Sequence, residues 1–392
     1  MPEDQNNQGE LKPDEQSDAE MPMQPVVVSP AQPNKRIWLI AVVAAVLVFG
    51  GAGAAWFLTK GTNKQSAQTP KISTNTQTNS ESAQQANTVG LKLDPTKNYG
   101  DKYANGLLPV GDNKYVTDGA KKGYVYVCNA NFVPASQAGA QVRGPWFTNN
   151  NTQWDINKKV AVQGNVMWQQ NITVKIENGK RVVTTNDLPD HHTGTFPIAS
   201  SDPAYQYDRN PGTITTQTLA YNLAASPSYG APQCMGGEVG VMTTGVALFD
   251  AFDAGGRDAG AWEVQDSCDG HPQNKGEYHY HTLSRCIKDT SVQTVIGYAL
   301  DGFPITGPKV GDKNFLTTND LDECHGIVSD IMLDGKKVTS YHYVMTEDFP
   351  YSVSCFRGTA VKAPGQPEGA PAGGGAGTGG MQPPPPPPGQ PR

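Results

Sequence analysis

Positive charge is scarce in this sequence. Its 30 Lys and Arg are outnumbered by 37 Asp and Glu, for a formal charge of -7. With no basic excess to neutralise phosphates, nucleic acid is not an expected partner. Apolar residues are also few, at 37%, while 43 Gly and 31 Pro in 392 residues imply tails and turns rather than long regular elements. Long amphipathic helical patterns are missing, which leaves little room for helix. The six cysteines include no Cys-x-x-Cys pair, which disfavours a zinc ribbon or a dithiol redox motif. No Gly-x-Ser-x-Gly occurs either, so one common nucleophile arrangement is absent.

What is present divides the chain. Residues 1–36 carry seven acidic residues against Lys12, Lys35 and Arg36, with six prolines and no apolar run, and read as a disordered acidic tail. Residues 37–58 hold no charge over 22 positions, and a helix of that length spans roughly 33 Å, enough to cross a bilayer. Trp38 and Trp56 near its ends suit the membrane interface. The Ala52-Gly53-Ala54 segment resembles a signal cleavage site, but the run is long for a signal peptide, so an uncleaved single-pass anchor is the expectation. Lys35 and Arg36 are nearly matched by Lys60 and Lys64, so flanking charge does not orient it. Residues 59–95, rich in Ser, Thr, Asn and Gln, read as a flexible linker, and residues 361–392 as a Gly/Pro-rich disordered tail.

Residues 96–360 hold every cysteine and histidine and carry a β signal. Ile172–Ile176 and Arg181–Thr185 are β-branched runs joined across Asn178-Gly179, a strong hairpin signature. The fold class expected is mainly β, in one compact disulfide-bonded extracellular domain. Cys128, Cys234, Cys268, Cys286, Cys324 and Cys355 are even in number, and a chain behind a membrane anchor can oxidise them, which places the domain outside the cell membrane. Fifteen connectivities are open. The reading adopted pairs neighbours, 128 with 234, 268 with 286 and 324 with 355, the second closing a loop worth about 3 kcal/mol. No internal repeat of fixed period is apparent, although a Tyr-His-Tyr triplet occurs twice.

Residues 240–308 contain DSCDGHP, then GEYHYHTL, then GYALDGFPI. In that order these resemble the YHYH-domain family of bacterial secreted and membrane-anchored proteins. GPW at 144–146, GTFPI at 194–198 and DFPYSVSCFRGT at 348–359 fit the flanks of that resemblance. It implies an extracellular domain but no established activity. Relatives often read ECHGH and end in a second Tyr-His-Tyr-His, where this chain has Ile327 and Val344.

In Gly276-Glu277-Tyr278-His279-Tyr280-His281, an extended strand puts Glu277, His279 and His281 on one face and the tyrosines on the other. Alternate residues on a strand lie about 6.6 to 6.8 Å apart, close enough for two imidazoles to lean onto one ion, zinc or copper first. His271 is a further expected ligand. Asp266, Asp269, Asp301, His325 and His342 are candidates to complete or orient the shell. The alternative is structural, with the two histidines hydrogen-bonded to buried carboxylates. Of Asp190-His191-His192, only His192 is carried as a candidate. Asp250, Asp253 and Asp258 lack calcium-loop spacing and read as a solvated acidic loop. A metal with an open position can activate water, but without a nucleophile motif the reading leans against an enzyme, a metal-dependent hydrolase being the lesser alternative. The expected function is a membrane-tethered domain that binds a metal ion or a cell-surface ligand. Its rival is an adhesive carbohydrate-binding module using Trp146, Phe147, Asn149–Asn151 and Trp154.

Overall fold

The computed structural model describes residues 89–366. The uncharged run at 37–58, the acidic tail, most of the linker and most of the Gly/Pro-rich tail lie outside the described residues. Among those described, no helix is long and apolar enough to cross a membrane.

The described region is mainly β. Short strands β1 (Leu107–Pro109), β2 (Tyr115–Val116), β3 (Val125–Tyr126), β4 (Phe147–Thr148) and β5 (Gln153–Asp155) form a three-stranded sheet and a two-stranded one. The hairpin expected from Asn178-Gly179 follows as β6 (Ile172–Glu177) and β7 (Lys180–Thr185), joined by β8 (Leu219–Ala224). Both turn residues adopt left-handed φ, 50° at Asn178 and 73° at Gly179, the geometry that matches the twist of a two-residue hairpin. The only α-helix among the described residues, α1 (Ala259–Trp262), is one turn, capped by the Asp258 carboxylate on the Ala261 N–H.

The site rests on an eight-stranded sheet. Its strands are β9 (Glu238–Met242), β10 (Ala247–Phe249), β11 (Gly270–Pro272), β12 (Tyr278–Tyr280), β13 (Val295–Ala299), β14 (Pro304–Thr306), β17 (Gly326–Leu333) and β18 (Lys336–Val344). A small hairpin of β15 (Lys309–Gly311) and β16 (Asn314–Phe315) lies between β14 and β17 in the chain. The sheet runs β11-β12-β10-β9-β13-β14-β18-β17. Strand β9 is buried throughout, and the main core gathers Val239, Val241, Tyr278, Tyr280, Tyr341 and Tyr343. Alternation explains why the tyrosines of both Tyr-His-Tyr triplets enter this core while the histidines turn to the opposite face.

Three disulfides join Cys128 to Cys234, Cys268 to Cys286 and Cys324 to Cys355, and no free cysteine remains among the described residues. Ordered pairing also runs beyond 96–360. The Leu93 N–H donates to the Val328 carbonyl at 2.9 Å, and Val361 to Leu300 at 3.0 Å.

Candidate metal centre

Strands β11 and β12 pair antiparallel with His271 directly opposite His279, while the parallel neighbour β10 sets Ala247 beside His279. His281, one residue past β12, shares the His279 face. The register therefore brings three imidazoles together, each 4% exposed or less, with one ring nitrogen from each within 4.8 Å of the others. The Phe249 ring lies 4.2 Å from the His279 ring and closes one side.

The fourth group is Glu263, which follows α1. Its Oε2 lies 3.3 Å from His281 Nε2 and 3.5 Å from His271 Nε2. His279 Nε2 and His281 Nε2 are 3.1 Å apart. Tautomers follow from the other nitrogens. His281 Nδ1 faces the Asp250 carbonyl at 2.5 Å and His279 Nδ1 the Glu277 carbonyl at 3.3 Å. A carbonyl only accepts, so each Nδ1 carries the proton and each Nε2 presents a lone pair. Two lone pairs 3.1 Å apart cannot hydrogen-bond to each other. Neither ring nitrogen of His271 and not Glu263 Oε2 has a hydrogen-bond partner, although all three atoms are buried. Buried polar groups left this way are costly.

Electrostatics favour the three imidazoles as ligands but keep Glu263 neutral in the absence of a cation. Burial holds His271 and His279 well below the ordinary imidazole value and His281 down to about 4, so all three rings are neutral and able to donate to a metal. Burial, with Asp253 and Asp208 nearby, pushes Glu263 well above the ordinary carboxyl range, against the pull of Arg257 and Lys159. Desolvation lowers the Lys159 ammonium to about 8, and its Nζ donates to the Gly260 carbonyl and Gln265 Oε1.

Several expected residues are placed elsewhere. The Glu277 carboxylate bonds the side-chain amide of Gln273, its cross-strand neighbour, and only its carbonyl reaches a histidine. Asp266 accepts from the N–H groups of Gly194 and Cys268 and from the Tyr278 hydroxyl, and Asp269 pairs with Arg285. Asp301 receives the Tyr343 hydroxyl and the N–H of Gly358. His325 and His342 belong to the β17–β18 region. None of these six side chains forms a hydrogen bond with the three histidines. Sequence reading missed Glu263, because the one-turn helix that delivers it has no periodicity to reveal which way it points.

Other candidates resolve as structure. His192 Nε2 reaches Ser267 Oγ at 3.2 Å, and it is His191 that bonds the Tyr280 hydroxyl. His191 also lies near Cys268 and Cys286, but these are bonded to each other and offer no thiolate. The aspartates of the 250–258 loop are buried, not solvated. Asp250 takes the Gly237 N–H, Asp253 pairs with Arg257, and Asp258 takes the Gly111 N–H and the Tyr351 hydroxyl. Trp146 and Trp154 are buried, Trp146 donating to the Ala261 carbonyl at 2.8 Å, so they form no exposed platform for sugar rings.

No curated protein and no solved structure matches the chain. A family model does: residues 220–316, from within β8 through β16, match that of the YHYH protein, so the segment supplying all three histidines and Glu263 is a YHYH-family region.

Proposed function

We propose that this domain binds one divalent metal ion, zinc before copper, through His271, His279, His281 and Glu263. The supporting observation is metric. Tetrahedral zinc with bonds of about 2.0 to 2.2 Å to nitrogen and oxygen sets its ligand atoms roughly 3.3 to 3.5 Å apart. Three of the six separations among these four atoms are 3.1, 3.3 and 3.5 Å, and the three imidazole nitrogens all lie within 4.8 Å of one another. Four buried protein ligands make a closed site, which suits binding and structural stabilisation better than catalysis, since catalytic zinc keeps a position for water. The carbonyls of Asp250 and Glu277 orient two of the imidazoles from behind.

Metal analysis of the purified full-length chain tests this. One zinc or copper per chain is expected, and His279→Ala, His281→Ala and Glu263→Gln should each weaken binding at least tenfold, the lower range for loss of even a supporting group. Glu277→Gln should leave the ion bound. A chain that purifies without metal, and whose melting responds to neither zinc nor copper, rules the site out.

The same proposal puts the domain outside the cell, tethered by residues 37–58 with the N-terminal tail in the cytoplasm. Its supports are the uncharged 22-residue run and the three disulfides. Protease added to intact cells should then release the domain. Protection until lysis means the opposite orientation.

A further inference from the structure

The large sheet reads the same from either edge. Its order is β11-β12-β10-β9 and then β13-β14-β18-β17, and its two parallel pairs, β10 with β12 and β14 with β18, occupy matching places. The central β9–β13 pair has Val241 opposite Tyr298, flanked by Met242 opposite Gly297 and Gly240 opposite Ala299. A two-fold axis through the Val241–Tyr298 pair exchanges Gly240 with Gly297. Both glycines are forced by the same contact, since a Cβ would lie 2.6 Å from the Tyr298 carbonyl oxygen at one and 2.9 Å from that of Val241 at the other.

The match extends outward from the axis. The β9–β10 turn has Gly245 at φ 88° and the β13–β14 turn has Gly302 at φ 91°. One turn is closed by Met242 N–H to the Val246 carbonyl at 2.8 Å, the other by Ala299 N–H to the Phe303 carbonyl at 2.9 Å. The residue before each glycine receives a tyrosine hydroxyl, Thr244 from Tyr280 and Asp301 from Tyr343. Farther out, the Asp266 carboxylate accepts from Cys268 N–H, Gly270 N–H and the Tyr278 hydroxyl. Asp322 accepts from Cys324 N–H, Gly326 N–H and the Tyr341 hydroxyl. Each half then places its Tyr-His-Tyr strand in the same register, with His271 opposite His279 in one and Ile327 opposite His342 in the other.

We infer that the sheet is one unit present twice, and that the β17–β18 copy is the same metal site with the positions of His271 and His281 given over to apolar side chains. This rests on the metal reading of the first half. Under the two-fold, His279 corresponds to His342, His271 to Ile327, and His281 to Val344. Ile327 and Val344 do not merely lack nitrogen. They join Tyr99, Val292, Leu316 and Leu321 in a separate apolar cluster. The remaining imidazole needs no ion, because His342 Nδ1 meets Thr306 Oγ1 at 2.9 Å and Nε2 meets Ser329 Oγ at 2.8 Å. Thr306 stands where Phe249 stacks on His279 in the first half.

The test is exchange between the halves in the full-length chain. Ile327→His with Val344→His should raise bound zinc from one to two per chain, with water completing the new tetrahedron. In a His279→Ala background it should raise it from none to one. If the parent binds none and the double variant binds one, the first-half reading fails and the duplicated site stands. Because two imidazoles in an apolar cluster can prevent folding, the reverse exchange is made as well. His271→Ile with His281→Val should give a chain that melts cooperatively and holds no zinc. A folded Ile327→His, Val344→His chain with no additional zinc overturns the inference, as does failure of both exchanges to fold.

Discussion

The β11–β12 and β17–β18 hairpins set one imidazole in the same frame and satisfy it in opposite ways. In the first, His279 faces His281 and lies beside His271, all buried, with lone pairs converging beside Glu263. In the second, two hydroxyls bracket His342 and the flanking positions are aliphatic. Backbone register therefore determines where a buried histidine sits, and its neighbours decide whether it acts as a ligand. A Tyr-His-Tyr triplet by itself says only that tyrosines point into the core and a histidine points away.

The largest expected difference between the halves is their response to metal. Zinc at about a thousand times its dissociation constant stabilises by about 4 kcal/mol, roughly 10 °C in melting temperature for a domain of this size. A chelator should remove that shift from the parent and from His342→Gln, but His271→Ala should not respond to it. Equal loss of the chelator response in His271→Ala and His342→Gln erases the contrast.

Next come the disulfides, one in each half. Cys268–Cys286 and Cys324–Cys355 close loops with separations of 18 and 31 residues, which on the chain-entropy account is worth about 3 to 4 kcal/mol each. Replacing either pair by alanine should lower stability in denaturant by a similar amount. Only the first, which brackets Tyr278–His281, should also weaken zinc binding. Peptide mapping without reductant checks the pairing directly.

Much of this was legible in the sequence. Asn178-Gly179 announced its hairpin, and strand alternation put His279 and His281 on one face. Glu277 shows where alternation stops being sufficient. It shares that face, but β12 begins at Tyr278 and the carboxylate finds Gln273 across the ladder instead of the imidazoles. Glu263 was beyond reach, because a one-turn helix and a non-local packing contact bring it to the site. The duplication escaped for a different reason. Its two copies share no fixed period, since Gly270 and Tyr278 are joined by a short loop while Gly326 and Tyr341 are separated by the long β17–β18 hairpin. The common residues do recur in the sequence, as Asp-x-Cys-x-Gly at 266–270 and 322–326 and as the two Tyr-His-Tyr triplets, but the unequal spacing between them hides that they occupy matching places in one sheet.

A smaller contrast lies in the tyrosines on the core side. The Tyr343 hydroxyl donates to Asp301 at 2.6 Å, whereas the Tyr280 hydroxyl has only neutral side-chain partners, Thr244 at 3.3 Å and His191. Hydrogen bonds to a charged partner contribute about 1.5 to 3 kcal/mol and neutral ones about 1. Tyr343→Phe should therefore destabilise more than Tyr280→Phe in chemical denaturation, and neither should release the ion. Equal losses mean that the Asp301 carboxyl is not acting as a charged acceptor.

The last contrast concerns acid and is read at His342 in the second half. Burial holds His342 down to about 4, whereas an unfolded histidine takes its proton near 6.5. Between those values the unfolded chain binds a proton at this position that the folded chain refuses, so acid favours unfolding. The contribution of His342 to stability is therefore complete above about pH 6.5 and falls as pH drops toward 4, by up to about 1.4 kcal/mol per unit. His325 is held down to about 3 by the same cause and adds a parallel loss. His342→Gln keeps a side chain able to hydrogen-bond Thr306 and Ser329 while removing the titration. Denaturant unfolding at pH 7.5, 5.5 and 4.5 should give a slope for this variant shallower than the parent's by about one proton. An unchanged slope means that His342 titrates alike in both states and that burial does not hold it neutral.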